Sequence, residues 1–254
     1  MEDVIFQLAE YQQKNMPYVL CIVTEASGST PRGSGSRMVV FEDGTIKGTI
    51  GGGSVELRIR QEAAEVLRTA KPGLFKYQLD KDLKMQCGGQ MTIYLEPFYP
   101  APSLFIFGAG HVGRELGSLA VSLGFSVHYI DHRPDIFSEF DPLTAQCHVG
   151  SYTGLIPSLP INEQSYAVIM TADHCNDEAV LAELGKIKLK YLGMMGSRRK
   201  VAEVSKRLLN SNLLSQAQLD FVDMPIGLSI NAETPREIAV SIAAKLIAVK
   251  NAKQ

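Results

Sequence analysis

The chain has 254 residues, 45% of them hydrophobic, with 25 lysine and arginine residues against 27 aspartate and glutamate residues. This length and composition are typical of a globular protein with one large or two modest domains, and they exclude collagen, disordered chains and disulfide-dependent miniature folds. The formal net charge of −2 is spread over both halves of the chain. We therefore expect no nucleic-acid binding through bulk positive charge.

Targeting and cysteine patterns point to the cytoplasm. Residues 1–10 are acidic and lack the basic start and apolar core of a secretory signal, so a cytoplasmic location is expected. No apolar stretch is long enough to span a bilayer, so we expect no membrane partner. The cysteines lie far apart and form no Cys-x-x-Cys pair: Cys21, Cys87, Cys147 and Cys175. This spacing favours free thiols over disulfides or a structural zinc site.

The first hundred residues predict a small α+β arrangement. Apolar spacing indicates an opening helix over residues 4–12, and a second helix follows three glycines with Ser54 as its cap. Apolar and β-branched runs predict strands at 19–24, 38–41, 45–50, 75–79 and 91–95. Three prolines in residues 96–102 predict an extended linker, which places a domain boundary there.

From Ser103 onward, short apolar strands alternate with helices, which predicts a parallel sheet covered by helices. The strands are expected at 104–107, 126–130, 167–171 and 191–194, and the helices at 113–123, 178–184 and 200–209. A final helix is signalled by Thr234 as N-cap, with proline and glutamate at the first and third helical positions. The predicted fold class is α/β: a Rossmann-like parallel sheet domain, residues 98–254, preceded by a smaller α+β domain, residues 1–97.

A glycine fingerprint follows the first strand of the second half. In Gly108-Ala-Gly110-His111-Val-Gly113, the first glycine permits a tight turn, the second lets a phosphate approach the backbone, and the third allows close helix packing. Asp131 ends the next strand, where an acidic residue accepts from a ribose hydroxyl in dinucleotide-binding folds. The motif leaves open whether the ligand is NAD, another nucleotide or a pterin phosphate. The structural alternative is that the glycines serve packing alone and that Asp131 caps a turn.

A second candidate anion site lies at Gly196, where Ser197 can cap a helix. Its first turn carries three cations, Arg198, Arg199 and Lys200, although the helix dipole disfavours positive charge at that end. A bound phosphate in the Gly196 turn would make Arg198 and Arg199 its ligands. A solvated surface cluster is the alternative.

The first half contributes two glycine loops, residues 28–32 and 48–56, beside Arg32. Backbone groups with little side-chain cover suit an anionic or heteroatom-rich ligand. The second loop contains Gly51, Gly52 and Gly53. Glu56 is either a carboxylate matched to the helix dipole or an acceptor for a ligand N–H. Cys87, followed by two glycines, is accessible, but it reacts only if its pKa is lowered, and an inert thiol is the alternative.

Residues 173–177 follow a strand at the carboxyl edge of the sheet, where His174 is a candidate cofactor contact. Asp173, His174 and Asp177 are too common a set to indicate a metal, and none is expected. Helix capping by Asn176 is the default interpretation. No Gly-x-Ser-x-Gly, Walker or His-Glu-x-x-His motif supports a hydrolase or NTPase.

Together these segments resemble the XdhC/CoxI family, the accessory factors of xanthine dehydrogenase and related molybdenum hydroxylases. The likeness covers nearly the whole chain, at residues 24–32, 48–56, 87–89, 107–113, 193–200, 225–228 and 234–242. It implies a cytoplasmic homodimer that binds molybdenum cofactor (molybdopterin). A cysteine desulfurase then helps to replace an oxo ligand with sulfido, and the cofactor passes to the apo-hydroxylase. Many relatives have Cys or His where Ser54 stands, whereas Cys87 matches the family's Cys-Gly-Gly.

The resemblance suggests a carrier more than a catalyst. We expect the phosphate end of the cofactor near residues 108–113 with Arg198 and Arg199, and its pterin or metal end near Arg32, Glu56 and Cys87, across a cleft between the domains. Cys87 is the candidate for facing sulfur or metal.

Two other functions use the same glycine fingerprint. An NAD(P)-dependent oxidoreductase would employ Asp131 for the ribose and His111, His174 or Tyr191 as proton donor. A nucleotide-sensing protein would bind a nucleotide without catalysis.

Overall fold

A computed structural model describes residues 4, 16–84 and 88–252, apart from the side chain of His174. The chain divides into two compact units, Met1–Pro100 and Ala101–Gln254. Their mixed α/β architecture confirms the predicted fold class. The domain boundary at 97/98 stays a prediction. The expected opening helix lies outside the described residues except for Val4, and Cys87 lies outside them as well.

The first unit contains a five-stranded antiparallel sheet with strand order β3-β2-β1-β5-β4. Its strands are β1 (Tyr18–Ser27), β2 (Arg37–Phe41), β3 (Ile46–Gly48), β4 (Gly73–Gln78) and β5 (Gln90–Phe98). Its described helices are α1 (Gly53–Thr69) and α2 (Leu79–Leu83). Helix α1 buries Val55, Ile59 and Ala63 in one core with residues of β1, β2 and β5. This apolar face fixes where the glycine loop before α1 lies.

Strand β5 runs through Pro97 to Phe98, so the linker expected from residue 96 is wrong at its start. Pro97 pairs with Val19 of β1 on one side. On the other side, β4 ends its pairing at Leu95, opposite Gly73. Proline lacks an N–H and is accepted where no neighbouring strand needs one.

The second unit contains a parallel five-stranded sheet with strand order β10-β9-β6-β7-β8. Its strands are β6 (Ser103–Phe107), β7 (Ser126–Asp131), β8 (Gln146–Val149), β9 (Tyr166–Ile169) and β10 (Tyr191–Met194). Its described α-helices are α3 (His111–Ser122), α4 (Tyr152–Leu155), α5 (His174–Leu184), α6 (Arg198–Asn210), α7 (Gln216–Phe221) and α8 (Pro235–Lys250), and short 3-10 helices lie at Ile136–Ser138 and Ile156–Ser158.

Helices cover both faces of this sheet. Phe105 and Phe107 of β6 point into a core shared with α5 and α6, whereas Leu104 and Ile106 point into one shared with α3 and α8. All five residues of β6 are buried because helices cover both faces of the sheet. A parallel strand in such a sheet is apolar on both sides.

The strand order reverses at β6. The chain first adds β7 and β8 on one side, then crosses to add β9 and β10 on the other. Ligands of open α/β sheets bind outside the carboxyl ends of the strands at such a reversal. The loops after β6 and β9, which begin at Gly108 and Met170, meet there.

Some of the helix N-caps predicted from the sequence are confirmed, and others are wrong. Thr234 and Glu237 form the predicted capping box of α8, and Ser197 caps α6 as expected. Helix α1 instead has Gly52 as its N-cap, so the prediction for Ser54 is wrong. Within the part of the chain that the structure describes, no helix is both long and apolar enough to cross a bilayer.

Candidate functional site

Of the three glycines in the turn after β6, only one leaves space for a ligand. Gly108 adopts φ 116°, and a Cβ atom on it would lie 2.3 Å from the carbonyl oxygen of Met170. A Cβ on Gly113 would lie 2.1 Å from the carbonyl oxygen of Gly108. A Cβ on Gly110 would meet nothing within 4 Å. Two glycines are therefore required for packing, and Gly110 exposes its backbone to open space.

Helix α3 begins at this open position. Its N-cap is Gly110, which offers no side-chain oxygen, so no side chain caps the first amides of α3. Uncapped amides and the positive end of the helix dipole favour an anion at this end.

A pocket of about 420 Å³ lies where α3 and α8 begin, lined by His111, Arg114, Glu115, Thr234, Pro235 and Arg236. Arg236 donates from Nε to Glu115 Oε1 at 3.1 Å. Arg114 forms an ion pair with Glu139 and donates from Nε to the Ala109 carbonyl at 3.1 Å. Both arginines therefore have protein partners in the pocket wall, and His111 is exposed beside them.

Asp131 lies at the end of β7 with its side chain fully buried. Its Oδ2 accepts from the Ala109 amide at 2.8 Å and from Arg133 Nη2 at 2.8 Å. Its Oδ1 accepts from the amide and the Nε of Arg133 at 3.0 and 2.9 Å. Burial acts to raise the pKa of Asp131, but these hydrogen bonds outweigh burial and lower the pKa to about 2. A ribose hydroxyl would compete with Arg133 for this carboxylate, and the ribose role stays a prediction.

The cations at the start of α6 differ in their surroundings. Lys200 forms an ion pair with Asp177 and donates to the Met195 carbonyl at 3.1 Å. Asp177 is buried, and its Oδ1 accepts from the amide and hydroxyl of Thr171 at 2.9 and 2.7 Å. A carboxylate of the protein itself therefore compensates the charge of Lys200.

Arg198 and Arg199 are exposed. Arg199 donates from Nε to Glu203 at 2.9 Å. Within the described residues, Arg198 has no ion pair. A Cβ on Gly196 would lie 2.9 Å from Lys200 Cδ, so this turn is partly filled by the lysine stem. Phosphate binding by Arg198 and Arg199 stays a prediction.

The cap of α5 is Asp173, so the expected capping by Asn176 is wrong. The reason is that Asp177, one turn into the helix, reaches back to Thr171 and holds the loop after β9. His174 is the first residue of α5, and its side chain lies outside the description.

In the first unit, three glycine segments of the sequence come together. The Gly89 amide donates to the Ser29 carbonyl at 3.1 Å, and a Cβ on Gly28 would lie 3.1 Å from Gly89 Cα. A Cβ on Gly51 would lie 2.5 Å from Pro31 Cγ. The loops at 28–32, 51–53 and 88–89, separated in sequence, therefore form one cluster, which we call the N-terminal glycine cluster.

Glu56 organises one part of this cluster. Its Oε1 accepts from the Thr49 hydroxyl at 2.6 Å, the Ile50 amide at 3.2 Å and the Gly52 amide at 2.9 Å. One carboxylate oxygen therefore holds the loop that precedes α1. Contact of Glu56 with a ligand stays a prediction.

Beyond this loop, Gly52 and Gly53 face open space, since a Cβ on either would meet nothing within 4 Å. Arg32, which follows Pro31 in the chain, is exposed. Cys87, which precedes Gly88, lies outside the described residues. Among the residues that are described, no group of three or more His, Cys, Asp or Glu side chains could hold a metal ion.

Sequence reasoning missed three arginines at the second unit's candidate site, Arg114, Arg133 and Arg236. Arg133 follows Asp131 by two residues, and an arginine near that position is a known signal for a phosphate on the ribose. Arg236 lies in a helix start whose sequence indicates capping alone. Only the fold brings Arg236 to the helix that follows the glycine turn.

Comparison with known families assigns both parts of the chain. Residues 104–246 match the profile of the XdhC Rossmann domain, and residues 11–78 match that of the XdhC and CoxI family.

Three curated proteins are similar. The uncharacterized protein YqeB of Escherichia coli K12 is 32% identical over 98% of this chain and 46% of its own length. A protein of Bacillus subtilis 168, named as a probable subunit of xanthine dehydrogenase, is 32% identical over 61% of this chain and 45% of its own length. The molybdenum cofactor insertion chaperone PaoD of E. coli K12 is 23% identical over 91% of this chain and 83% of its own length. The chain thus spans less than half the length of the first two.

Among solved structures, the crystal structure of a xanthine dehydrogenase from Bacillus halodurans aligns with a TM-score of 0.54 at 23% identity. The alignment covers 98% of this chain and 96% of that chain. At this identity the likeness concerns the fold, which is shared over both units.

Proposed function

Because the chain belongs to the XdhC and CoxI family, we propose that it is an accessory factor that binds molybdenum cofactor and delivers it to a xanthine dehydrogenase-type molybdenum hydroxylase. The match of residues 104–246, which contain the open glycine turn, carries this proposal. The names of two relatives support it, one an insertion chaperone for this cofactor and the other a probable part of xanthine dehydrogenase.

The cofactor is cargo here, and its chemistry fits the second unit. It is a pterin dithiolene with a phosphate, so its carrier needs an anion-binding position and hydrogen-bonding groups. Gly110 offers bare backbone at the uncapped start of α3, where the dipole favours phosphate. Arg198 adds an exposed guanidinium that no described carboxylate compensates.

The first unit supplies groups suited to the pterin and metal end. Gly52 and Gly53 present backbone to open space in the N-terminal glycine cluster, and Glu56 fixes their loop. We assign to Cys87 the relay of sulfur to the cargo: a cysteine desulfurase passes persulfide sulfur to this thiol, a thiol reductant supplies the two electrons that bring the sulfur to sulfido, and the displaced oxo ligand leaves as water. Arg32, which is exposed, supplies a cation at this cluster.

The protein acts as a carrier in the cytoplasm and works as a homodimer in this proposal. Holding and transferring the cargo requires only binding and release, and the sulfur relay assigned to Cys87 is the one covalent step. An NAD(P)-dependent oxidoreductase would instead reduce or oxidise a nicotinamide in the second unit.

Reconstitution tests the proposal. Purified apo-hydroxylase is mixed with molybdenum cofactor, a cysteine desulfurase, cysteine and a thiol reductant, with or without this protein, and hydroxylase activity is measured. We expect faster and more complete activation with the protein, and a loss of that gain with Cys87→Ala. Activation that is equal without the protein contradicts delivery. Full activation with Cys87→Ala contradicts the role of that thiol alone.

A further inference from the structure

The guanidinium of Arg133 is fixed on one side and available on another. Nε donates to Asp131 Oδ1 at 2.9 Å, and Nη2 donates to Oδ2 at 2.8 Å. Arginine has five N–H donors, so this two-point contact leaves three unused, on Nη1 and Nη2. These form a second edge suited to a two-point contact with an anion. The Arg133 side chain is 39% exposed, so this edge is within reach of a ligand.

Asp131, by contrast, has no acceptor position left. Its four lone-pair directions are taken by the Ala109 amide and by three donors of Arg133. A ribose diol placed at this carboxylate would have to break contacts to Arg133. The end of β7 therefore presents a donor edge to a ligand in place of an acceptor.

A buried hydroxyl beside this pair forms no hydrogen bond of normal geometry. Tyr152 is only 3% exposed, and among the described residues its phenol oxygen has no hydrogen bond. Burial is the main factor that raises the pKa of Tyr152, the charges of Asp131 and Arg133 shift it further in opposite directions, and loose contacts of the hydroxyl with the Asp131 carboxylate and the His132 backbone contribute least. The hydroxyl thus lies close to both groups. Buried polar groups are nearly always satisfied, so this hydroxyl is available to a better-placed partner such as a ligand at the free edge of Arg133.

We propose that the carboxyl end of β7 is a subsite for a phosphomonoester, bound by the free edge of Arg133 and by the Tyr152 hydroxyl. Ala109 joins this subsite to the glycine turn, because its amide donates to the same Asp131 carboxylate. The ligand class is the phosphate of a pterin cargo or the 2′-phosphate of an adenine nucleotide. The pterin source rests on the proposed function, whereas the binding chemistry does not.

The other charges near Arg133 leave it able to bind an anion. Glu139 lies close enough to act on Arg133, but Glu139 forms an ion pair with Arg114. His132 lies beside Asp131, with Nδ1 at 3.7 Å from Oδ1, and its ring meets the Tyr152 ring edge-on at 5.4 Å. The two carboxylates whose charges act on Arg133, Asp131 and Glu139, are therefore both held in ion pairs of their own.

The test compares ligands that differ only in one phosphate. The full chain is titrated with a fluorescent pterin derived from molybdopterin, with and without its phosphate, and with 2′,5′-ADP against AMP. We expect the added phosphate to strengthen binding of at least one ligand pair about tenfold in the wild type. This ratio should fall to about one in Arg133→Ala and to an intermediate value in Arg133→Lys, which loses the planar fork.

Two further variants keep the test independent of folding defects. Tyr152→Phe removes only an unpaired hydroxyl, so it should fold normally and still lower the phosphate preference several-fold. Arg207→Ala, which removes a half-exposed cation on α6, should preserve the preference.

The outcomes separate the subsite from the delivery role. Equal binding with and without phosphate, or a preference that survives both Arg133 substitutions and Tyr152→Phe, overturns the subsite even if the pterin binds. An Arg133-dependent preference for 2′,5′-ADP without pterin binding supports the subsite and contradicts the proposed cargo. An Arg133-dependent preference for the phosphorylated pterin supports both. No binding of any probe overturns the subsite.

Discussion

The carbonyl oxygen of Gly108 lies 2.1 Å from the position that a Cβ atom of residue 113 would occupy. Both groups are backbone, so neither can move without displacing the glycine turn or α3. The turn therefore packs tightly against α3 at Gly113, whereas at Gly110 its backbone faces open space.

Alanine at these two positions should separate folding from binding. Gly113→Ala should lower the free energy of unfolding by about 1–3 kcal/mol or more, because the methyl overlaps the Gly108 carbonyl. Gly110→Ala should lower it by less than about 1 kcal/mol, since Gly110 has φ −72° and nothing within 4 Å of its Cβ position. Gly110→Ala should nevertheless weaken cofactor binding about tenfold. Denaturant unfolding and ligand titration check both. A stable Gly113→Ala protein would contradict the packing argument.

The ion pair of Lys200 with Asp177 should dominate the stability of the α6 start. Their side chains are 14% and 1% exposed, so Lys200→Ala leaves a buried carboxylate without its cation. We expect a loss of about 3–5 kcal/mol in unfolding free energy. The matched control is Arg199→Ala, whose side chain is 89% exposed and should change stability by less than about 0.5 kcal/mol. Similar losses of unfolding free energy in the two variants would show that the buried pair stabilises the protein no more than an exposed arginine does.

Acid should destabilise the protein through His128. This residue is 3% exposed, stacks on Phe105 and contacts His148 Nε2 from Nδ1 at 3.2 Å. Burial, and secondarily the charge of His148, lowers the pKa of His128 from 6.5 to about 4. The unfolded chain therefore binds the proton first as the pH falls. Stability should decrease between pH 6.5 and about 4, by roughly 3 kcal/mol in total.

Unfolding free energies measured across this pH range check the sign. His128→Gln should flatten the decrease, whereas His111→Gln, at an exposed position, should leave it unchanged. A wild-type stability that rises on acidification from pH 6.5 to 4 would overturn the assignment. Below that range Asp131, whose pKa is lowered to about 2, should add a further loss as its carboxylate is protonated.

Glu56 should control the order of the loop before α1. Glu56→Ala removes the acceptor of the Ile50 and Gly52 amides, so both should exchange hydrogen faster. Stability should fall by about 1–3 kcal/mol. Glu62→Ala is the control on the same helix, because Glu62 pairs with Arg58 away from the loop. Unchanged exchange at Gly52 in Glu56→Ala would contradict the organising role.

The parts of the fold that follow from local backbone rules could be predicted. The glycine turn at 108–113 is one such part, because only glycine suits the positive φ at residue 108 and the close backbone approach at residue 113. The capping box of Thr234 is equally local. Strand β10 has the bounds expected from its apolar run, since both its faces are covered.

Elements that depend on distant partners could not be predicted. Strand β8 lies at the sheet edge with three of its four residues exposed, so it shows no apolar period. Lys200 and Asp177 are 23 residues apart, and only the packing of α6 beside α5 joins them. The fixed orientation of Arg133 has no signal in the sequence, because this orientation depends on the burial of Asp131. The candidate site was thus visible as glycines and, through its place two residues after Asp131, as Arg133, whereas nothing in the sequence indicates that Tyr152 lies beside them.

Direct binding of the cargo tests the central claim. The full chain, purified anaerobically, is titrated with molybdenum cofactor, and molybdenum and pterin are quantified per chain after gel filtration, alongside a titration with NAD(H) and NADP(H). The account predicts retention approaching one molybdenum and one pterin per chain, reduced in Gly110→Ala. Absence of both from the wild-type protein, with tight nicotinamide binding and turnover instead, would contradict it.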